Sequence, residues 1–502
     1  MNSLNFIKSK SIWIICLLSF FTAFTYNEIN LNKLPKEKIK EGLTVITNDD
    51  NSYLSPAYNY LHLGEWKSDA LGKQAYFVRP PGYGIFYLSL LKLTNSTNTL
   101  LILKLIQYLL FSFSIYWFYY ILRSLIKSEY ISLIISGIYG LTPFAIGFLS
   151  YTLTEGITPA LTLLFIYILF KANESFTQKK ILYTLSALCL SYILIVRPQI
   201  GFIGILLPIF LVKEYYSKNK LQLILYLILF GIISFSSMAA WQVRNHNITD
   251  NYTGLHSIYY PDNNSIYRPT LKEYWNFVGC WAQEGHIAHS YIVPMWTAAT
   301  KGDTSELYIK NAIQTFPTRI INFYGKRRLT RVFRNYQKAT LNQKKYLDNE
   351  TAMPLILSSI ELEVIKDFKQ LTTEYKKDFW LDYHIISPLR VFKTMAFHSN
   401  LSLHIFQHTL RGNWLMEAIR ILFFGIHSLS FLGVFISLIL WKYLDWKQTS
   451  IAFTLFIYIL FLCYFQRGIE ERYTLPSLPL LMISVVVTLN YIYNLINPQS
   501  RR

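Results

Sequence analysis

Apolar residues in this chain run in long blocks separated by short polar punctuation. Uncharged apolar blocks of about 18 residues or more read as membrane-crossing helices. Ten crossings are predicted, over 11–24, 100–122, 130–148, 157–170, 181–196, 200–212, 221–240, 418–440, 450–465 and 474–496. Lys8 and Lys10 precede the first, and no small-residue cleavage site follows it, so it reads as a signal anchor. The block 85–93 is too short to cross and reads as a helix lying on the surface or re-entering it. From 245 to 415 the pattern turns polar, with early turns at Tyr260-Pro261-Asp262 and Arg268-Pro269 and helix-like stretches later. Around Thr330 to Lys338, the apolar residues Leu329, Val332, Phe333 and Tyr336 recur at helical spacing among Lys326, Arg327, Arg328, Arg331 and Arg334. That suits an amphipathic helix on a membrane surface, and equally a solvated basic face. The expected fold is an all-α polytopic membrane protein. Its parts are a transmembrane body (1–244), an extracytoplasmic lobe (245–415) and C-terminal transmembrane helices (416–502).

Charge gives the helices a direction. With the N-terminus inside, the inner segments carry Lys8, Lys10, Arg123, Lys127, Lys171, Lys179, Lys180, Lys213, Lys218, Lys220, Lys442, Lys447, Arg501 and Arg502. The short outer loops carry only Arg197, Arg467 and Arg472. This is the positive-inside bias, and it places both termini in the cytoplasm. The chain is 52% apolar and 15% charged, with a net charge of +19. In a membrane protein that surplus suits basic cytoplasmic loops and anionic lipid, so no nucleic-acid partner is expected. Three of the four cysteines (Cys16, Cys189 and Cys463) sit in apolar spans and Cys280 in a loop, which allows neither a disulfide framework nor a CxxC metal site.

The same topology puts Asp49, Asp50, Arg79, Glu155, Arg197, Arg244, Arg472 and Tyr473 at the outer face, each at or near the end of a span. Any one of the charged groups reads as a snorkelling side chain. Seven at one face invite a shared extracytoplasmic site. Asp49, Tyr53, Ala57 and Leu61 fall at i, i+4, i+8 and i+12, which stacks them on one side of a helix. Asp49 or Asn48 also reads as a cap of that helix, and Glu155 as an acid favoured by a helix N-terminus. The functional reading makes Asp49 a general base that deprotonates a hydroxyl attacking a sugar anomeric carbon. A phosphate leaving group departs without a proton, so one base and a cationic clamp suffice. Arg79, Arg197, Arg244 and Arg472 suit that clamp, because guanidinium binds phosphate bidentately and stays charged. Asp49, Asp50 and Glu155 together would offer a divalent cation an oxygen-rich site. His246, His256, His286 and His289 would favour zinc, and the choice stays open. No glycine-rich phosphate loop, dinucleotide fingerprint or Ser-His-Asp order stands out.

Five short signatures stand in order: Asp49-Asp50-Asn51-Ser52-Tyr53 with Ala57 and Arg79-Pro80-Pro81-Gly82-Tyr83; Thr154-Glu155; Val196-Arg197-Pro198; Trp241-Gln242-Val243-Arg244-Asn245; and Glu471-Arg472-Tyr473-Thr474-Leu475-Pro476. With the topology, they resemble the bacterial GT-C glycosyltransferases, the group that includes protein O-mannosyltransferases and the aminoarabinose transferases of lipid A. The resemblance covers roughly 11–240 and 415–496. It implies a GT-C-like bundle in the bacterial inner membrane and inverting transfer from a polyprenyl-phosphate sugar to a lipid, glycan or protein acceptor. In it, Asp49 matches the catalytic first-loop aspartate, Glu155 the second acidic position, and Arg244 and Arg472 positions near the donor phosphate. The sequence departs from the family in having Asp49-Asp50 where many members have Asp-Glu, and in its long loop from Asn245. A ligase or polymerase moving a whole lipid-linked glycan would need a similar site. A flippase or transporter would instead place charges at the midplane and repeat its halves.

Overall fold

The computed structural model describes residues 3–47, 49–69, 73–76, 79–94, 96–249, 269–281, 294–299, 301–349, 356–397, 412–467 and 471–496. Its helices in chain order are α1 (Ser3–Leu31), α2 (Asp50–Leu63), α3 (Gly82–Leu93), α4 (Ser96–Ile126), α5 (Glu129–Gly140), α6 (Pro143–Gly147), α7 (Thr158–Glu174), α8 (Lys179–Val196), α9 (Leu206–Tyr215) and α10 (Lys220–Thr249). The lobe follows with α11 (Pro269–Val278), α12 (Leu307–Gln314), α13 (Thr318–Tyr324), α14 (Lys326–Leu341), α15 (Lys344–Asp348), α16 (Ser359–Asp378) and α17 (Ser387–Phe397). The chain then returns through α18 (Trp414–Ile439), α19 (Trp446–Phe461) and α20 (Leu478–Ile496). This is an all-α polytopic membrane protein.

Among the described residues, nine helical segments are long and apolar enough to cross a membrane. The tenth predicted crossing is α7, a helix of 17 residues. It is preceded by two short 3-10 turns, Phe148–Ser150 and Thr154–Gly156, and packs against α4 and α8. The outer helices look the part of lipid-facing spans. On α10, Leu221, Ile224, Leu225, Ile228, Leu229, Ile232 and Phe235 form one exposed apolar stripe at helical spacing. The sidedness read from charge reappears as contact. Lys447 reaches Glu174 at 3.7 Å, Ser124 donates to Glu174 at 3.1 Å, and Lys179 and Lys218 share Glu214 at 2.9 and 2.6 Å. Segments assigned to the inner face therefore meet at one end of the bundle.

At the opposite end, α3 is the short helix expected at 85–93. It buries Tyr83, Tyr87, Leu90 and Leu91 against the body and leaves Ile85 and Leu93 exposed. Twelve residues span only about 18 Å, too little to cross. Two short strands, Ile39–Lys40 and Thr44–Val45, pair antiparallel, and Val45 bridges to Tyr151. That bridge fastens the first loop to the stretch before α7.

The lobe has its own aromatic core, built on Tyr274, Phe277, Trp281, Phe316, Tyr324, Phe333, Tyr336, Phe368 and Tyr375. This decides between the two readings of 330–338 in favour of the solvated basic face. The apolar face of α14 (Leu329, Val332, Phe333 and Tyr336) is spent on this core. Its basic face is the solvated one, with Arg328 paired to Glu374 at 2.7 Å and Arg334 to Glu306. Cys280 lies in the turn after α11, as expected of a loop position, and is buried there. The predicted boundary at 245 falls inside α10, which runs on to Thr249. The early turn at 260–262, and Arg268 of the next one, lie outside the described residues.

Candidate functional site

Asp49 occupies the N-cap position of α2, yet its side chain caps nothing. Forgoing a cap costs a helix on the order of 1 kcal/mol. The carboxylate is used elsewhere: it joins two arginines. Oδ1 accepts from Arg79 Nη2, and Oδ2 accepts from Arg472 Nη2 at 3.1 Å, across 423 positions of sequence. Both are charge-assisted bonds, the stronger kind.

Arg79 is aimed by the turn that follows it. Pro80 and Pro81 stiffen the backbone. Gly82 lets the turn press on α8, because a Cβ there would lie 2.6 Å from the Ile195 carbonyl carbon. Tyr192 also donates to the Gly82 carbonyl at 3.1 Å. From this anchor, Arg79 Nε donates to Ser52 Oγ at 3.2 Å, and its guanidinium lies 5.3 Å from the Tyr53 ring centroid. Tyr53 thus flanks the arginine that holds Asp49, one turn along α2.

The floor of the site comes from the stretch before α7. Glu155 lies in a 3-10 turn, Thr154–Gly156, and is buried. Its Oε1 is 2.6 Å from Arg197 Nη1 and 3.6 Å from Arg472 Nε. Arg197 ends α8 in an extended conformation, as a residue before proline must, and so turns out of the helix toward Glu155. It also donates to Thr154 Oγ1 at 3.0 Å and lies 5.6 Å from the Tyr473 ring centroid. The Tyr473 carbonyl accepts from Tyr458 at 2.7 Å. Asp49, Arg79, Arg472, Glu155 and Arg197 therefore form one connected chain of charges, drawn from both ends of the polypeptide.

Burial pushes the Glu155 carboxyl up, but Arg197 and then Arg472 outweigh it and hold it below its ordinary value. Glu155 is thus ionised at neutral pH. Side-chain exposure is 29% for Arg79, 24% for Asp49 and 23% for Arg472, against 1% for Glu155 and 10% for Arg197 beyond it. The Asp49 end is a mouth and the Glu155 end a floor. Three guanidiniums face two carboxylates, so the group carries one surplus positive charge.

Other predicted residues go elsewhere. Asp50 turns away from Asp49, as adjacent helical residues do. Its Oδ1 accepts from the Asn51 amide at 2.8 Å and its Oδ2 lies 3.9 Å from Lys40. Burial raises its carboxyl above the ordinary value. Arg244 braces the first loop: Nη2 donates to the Trp66 carbonyl at 2.7 Å and Nη1 to the Tyr76 carbonyl at 2.9 Å. Its guanidinium also lies 4.5 Å from the Trp241 ring centroid. No three of the His, Cys, Asp and Glu side chains among the described residues gather where a metal ion could be held. The three-carboxylate cation site is not formed, because Asp50 faces Lys40. His256, His286, His289 and Asn48 lie outside the described residues.

Sequence reasoning missed Gln107. This buried residue accepts from Tyr83 at 2.9 Å and donates to the Leu149 carbonyl at 2.8 Å, so it joins α3 to the floor segment. It also explains the glycine after Glu155, since a Cβ on Gly156 would meet Gln107 Oε1 at 2.5 Å. The signal was available: a lone amide inside an apolar span needs a partner. Lys104, buried in the same helix and 2.6 Å from Glu28, went unnoticed for the same reason. No protein-family model matches the chain, and no curated protein matches it in sequence.

Proposed function

We propose that this protein is a membrane glycosyltransferase of the GT-C type. It moves a sugar from a polyprenyl-phosphate donor to an acceptor hydroxyl, with inversion, at the outer face of a bacterial inner membrane. The observation that carries the reading is Asp49, held between Arg79 and Arg472 at the open end of a net-cationic cluster. A sugar-phosphate diester brings one negative charge, which would neutralise the surplus. Its oxygens compete with the Asp49 carboxylate for Arg79 and Arg472 and so release the carboxylate as the donor arrives.

The freed Asp49 then takes the proton of the acceptor hydroxyl. The acceptor oxygen bonds to the anomeric carbon from the face opposite the phosphate. The bond between that carbon and the phosphate oxygen breaks, and its electron pair stays on the phosphate. The departing polyprenyl phosphate gains a second negative charge, which fixed guanidiniums stabilise more than they stabilise the bound diester. Glu155 and Arg197 act behind the reaction by holding Arg472 in place.

The test is Asp49→Asn in the full-length protein, reconstituted with a polyprenyl-phosphate sugar. Transfer should be lost while membrane insertion and thermal stability are retained. Transfer at the wild-type rate would remove Asp49 as the base.

A further inference from the structure

The lobe meets the membrane body across a cavity of about 540 Å³, which the residues of the Asp49 cluster do not line. Lys369, Thr372, Thr373 and Lys376 line it from α16, at the i, i+3, i+4 and i+7 positions that share one helix face. Glu273 and Asn276 face them from α11, with Trp275 beside them. The membrane side supplies Tyr464, Phe465, Gln466 and Arg467.

Two features mark this seam as built. The π-helical turns Asp382–Ile386 and Leu462–Gln466 both contribute to it, through Tyr383 and through Tyr464 to Gln466. Such turns are rare and concentrate at functional sites. Arg467, next to the second turn, has a left-handed backbone (φ +51°), which is unusual for a side chain of this size. Its guanidinium stacks 3.8 Å from the Tyr383 ring centroid and donates to the Tyr383 carbonyl at 3.1 Å, clamping α19 to the lobe.

The lining joins aromatic faces, two amides, hydroxyls and three cations against one acid. Aromatic faces suit the apolar side of a sugar ring, and the amides and hydroxyls suit its hydroxyls. Lys369 and Lys376 are exposed and set for an anionic substituent, Lys369 being only loosely tied to Glu273 at 3.9 Å. We propose that this cavity is a binding site for an anionic saccharide, one carrying phosphate or carboxylate, and that it is separate from the Asp49 cluster.

The inference does not depend on the transferase reading, and its test needs no turnover. Binding of glucosamine 6-phosphate is measured by calorimetry on the full-length protein in neutral-lipid nanodiscs, with glucosamine and inorganic phosphate as comparisons. The wild type should bind the sugar phosphate at least tenfold more tightly than either comparison. The Lys369→Gln/Lys376→Gln variant should lose at least tenfold in affinity with an unchanged melting temperature. Lys377→Gln, an exposed neighbour outside the cavity, should bind as the wild type does. Four results would overturn the proposal: no wild-type binding, phosphate binding as tightly as the sugar phosphate, equal losses in the Lys377 variant, or displacement of the sugar phosphate by phosphatidylglycerol added to the nanodiscs. The last result would make the site one for a phospholipid headgroup.

Discussion

Two aspartates in this molecule sit between pairs of arginines, and they are built to different ends. Asp382, in the lobe, takes both nitrogens of Arg319 at 2.6 and 3.0 Å, lies 3.2 Å from Arg390 and accepts from the Tyr375 hydroxyl. A carboxylate has about four lone-pair positions, and these partners fill them. Its side chain is 6% exposed. Asp49 has one contact from each arginine among the described residues and is 24% exposed. Asp382 is saturated, closed and assembled from neighbours in one lobe. Among the described residues, Asp49 is half-satisfied, open, and assembled from the first loop and the 3-10 stretch before the last helix. The first arrangement holds a fold together. The second leaves hydrogen-bonding capacity unused among the described residues.

The sharpest break of this comparison exchanges function for stability. Asp49→Asn should lower transfer by about 10³-fold, the middle of the range for a general base, with a melting temperature near wild type. Asp382→Asn should do the reverse. Removing one partner of a buried ion pair costs about 3–5 kcal/mol, so the lobe should melt early while the correctly folded fraction keeps its specific activity. Activity assays and thermal scans on both variants decide the matter. If the two variants had the same profile, the distinction between site and brace would collapse.

Glu155→Gln tests the floor. Arg197 would be left in a nearly closed position without its carboxylate, at a cost of about 3 kcal/mol or more. Arg472 would lose its second anchor. Both activity and stability should fall, which places this variant between the two aspartates. A Glu155→Gln protein as stable as wild type would show that Arg197 is satisfied by Thr154 alone.

Much of this contrast could be read before any coordinates. The apolar blocks located the crossings, and charge sidedness grouped Asp49, Glu155, Arg197 and Arg472 on one face. What linear pattern could not supply was direction. Asp49 and Asp50 are adjacent in sequence and separate in role, because a helix turns them toward Arg79 and toward Lys40 respectively. Arg244 reads like its fellow arginines, but its reach is taken up by the carbonyls of Trp66 and Tyr76. The lobe was the least legible region. An amphipathic basic helix has the same period whether its apolar face meets lipid or protein, and only the aromatic core around Phe333 and Phe368 decides between them.

The turn that aims Arg79 offers a smaller, graded test. In Gly82→Ala, the added carbon would sit 2.6 Å from the Ile195 backbone, where no side-chain rotation relieves it. Overpacking of this kind costs about 1–3 kcal/mol, and a displacement of about 1 Å at a site can cost 10²-fold in rate. Transfer should fall by that order, with the loss in kcat larger than the rise in donor KM. A variant with unchanged kcat would mean that Arg79 does not depend on this turn for its position.

The smallest effect expected is on pH. Burial pushes the Asp382 carboxyl up, but Arg319, Tyr375 and Arg390 hold it below the ordinary aspartate value. A carboxyl depressed in the folded state adds stability that is fully present above its unfolded value, near 3.9, and is lost as pH falls through the folded one. The lobe should therefore keep its melting temperature from neutral pH down to about pH 4 and lose it progressively below that. In Asp382→Asn the acid-dependent part of that loss should shrink, since the titrating group is gone. Matching acid profiles in the two proteins would assign the loss to other carboxylates, Glu374 first among them, since Arg328 and Gln370 depress it as well.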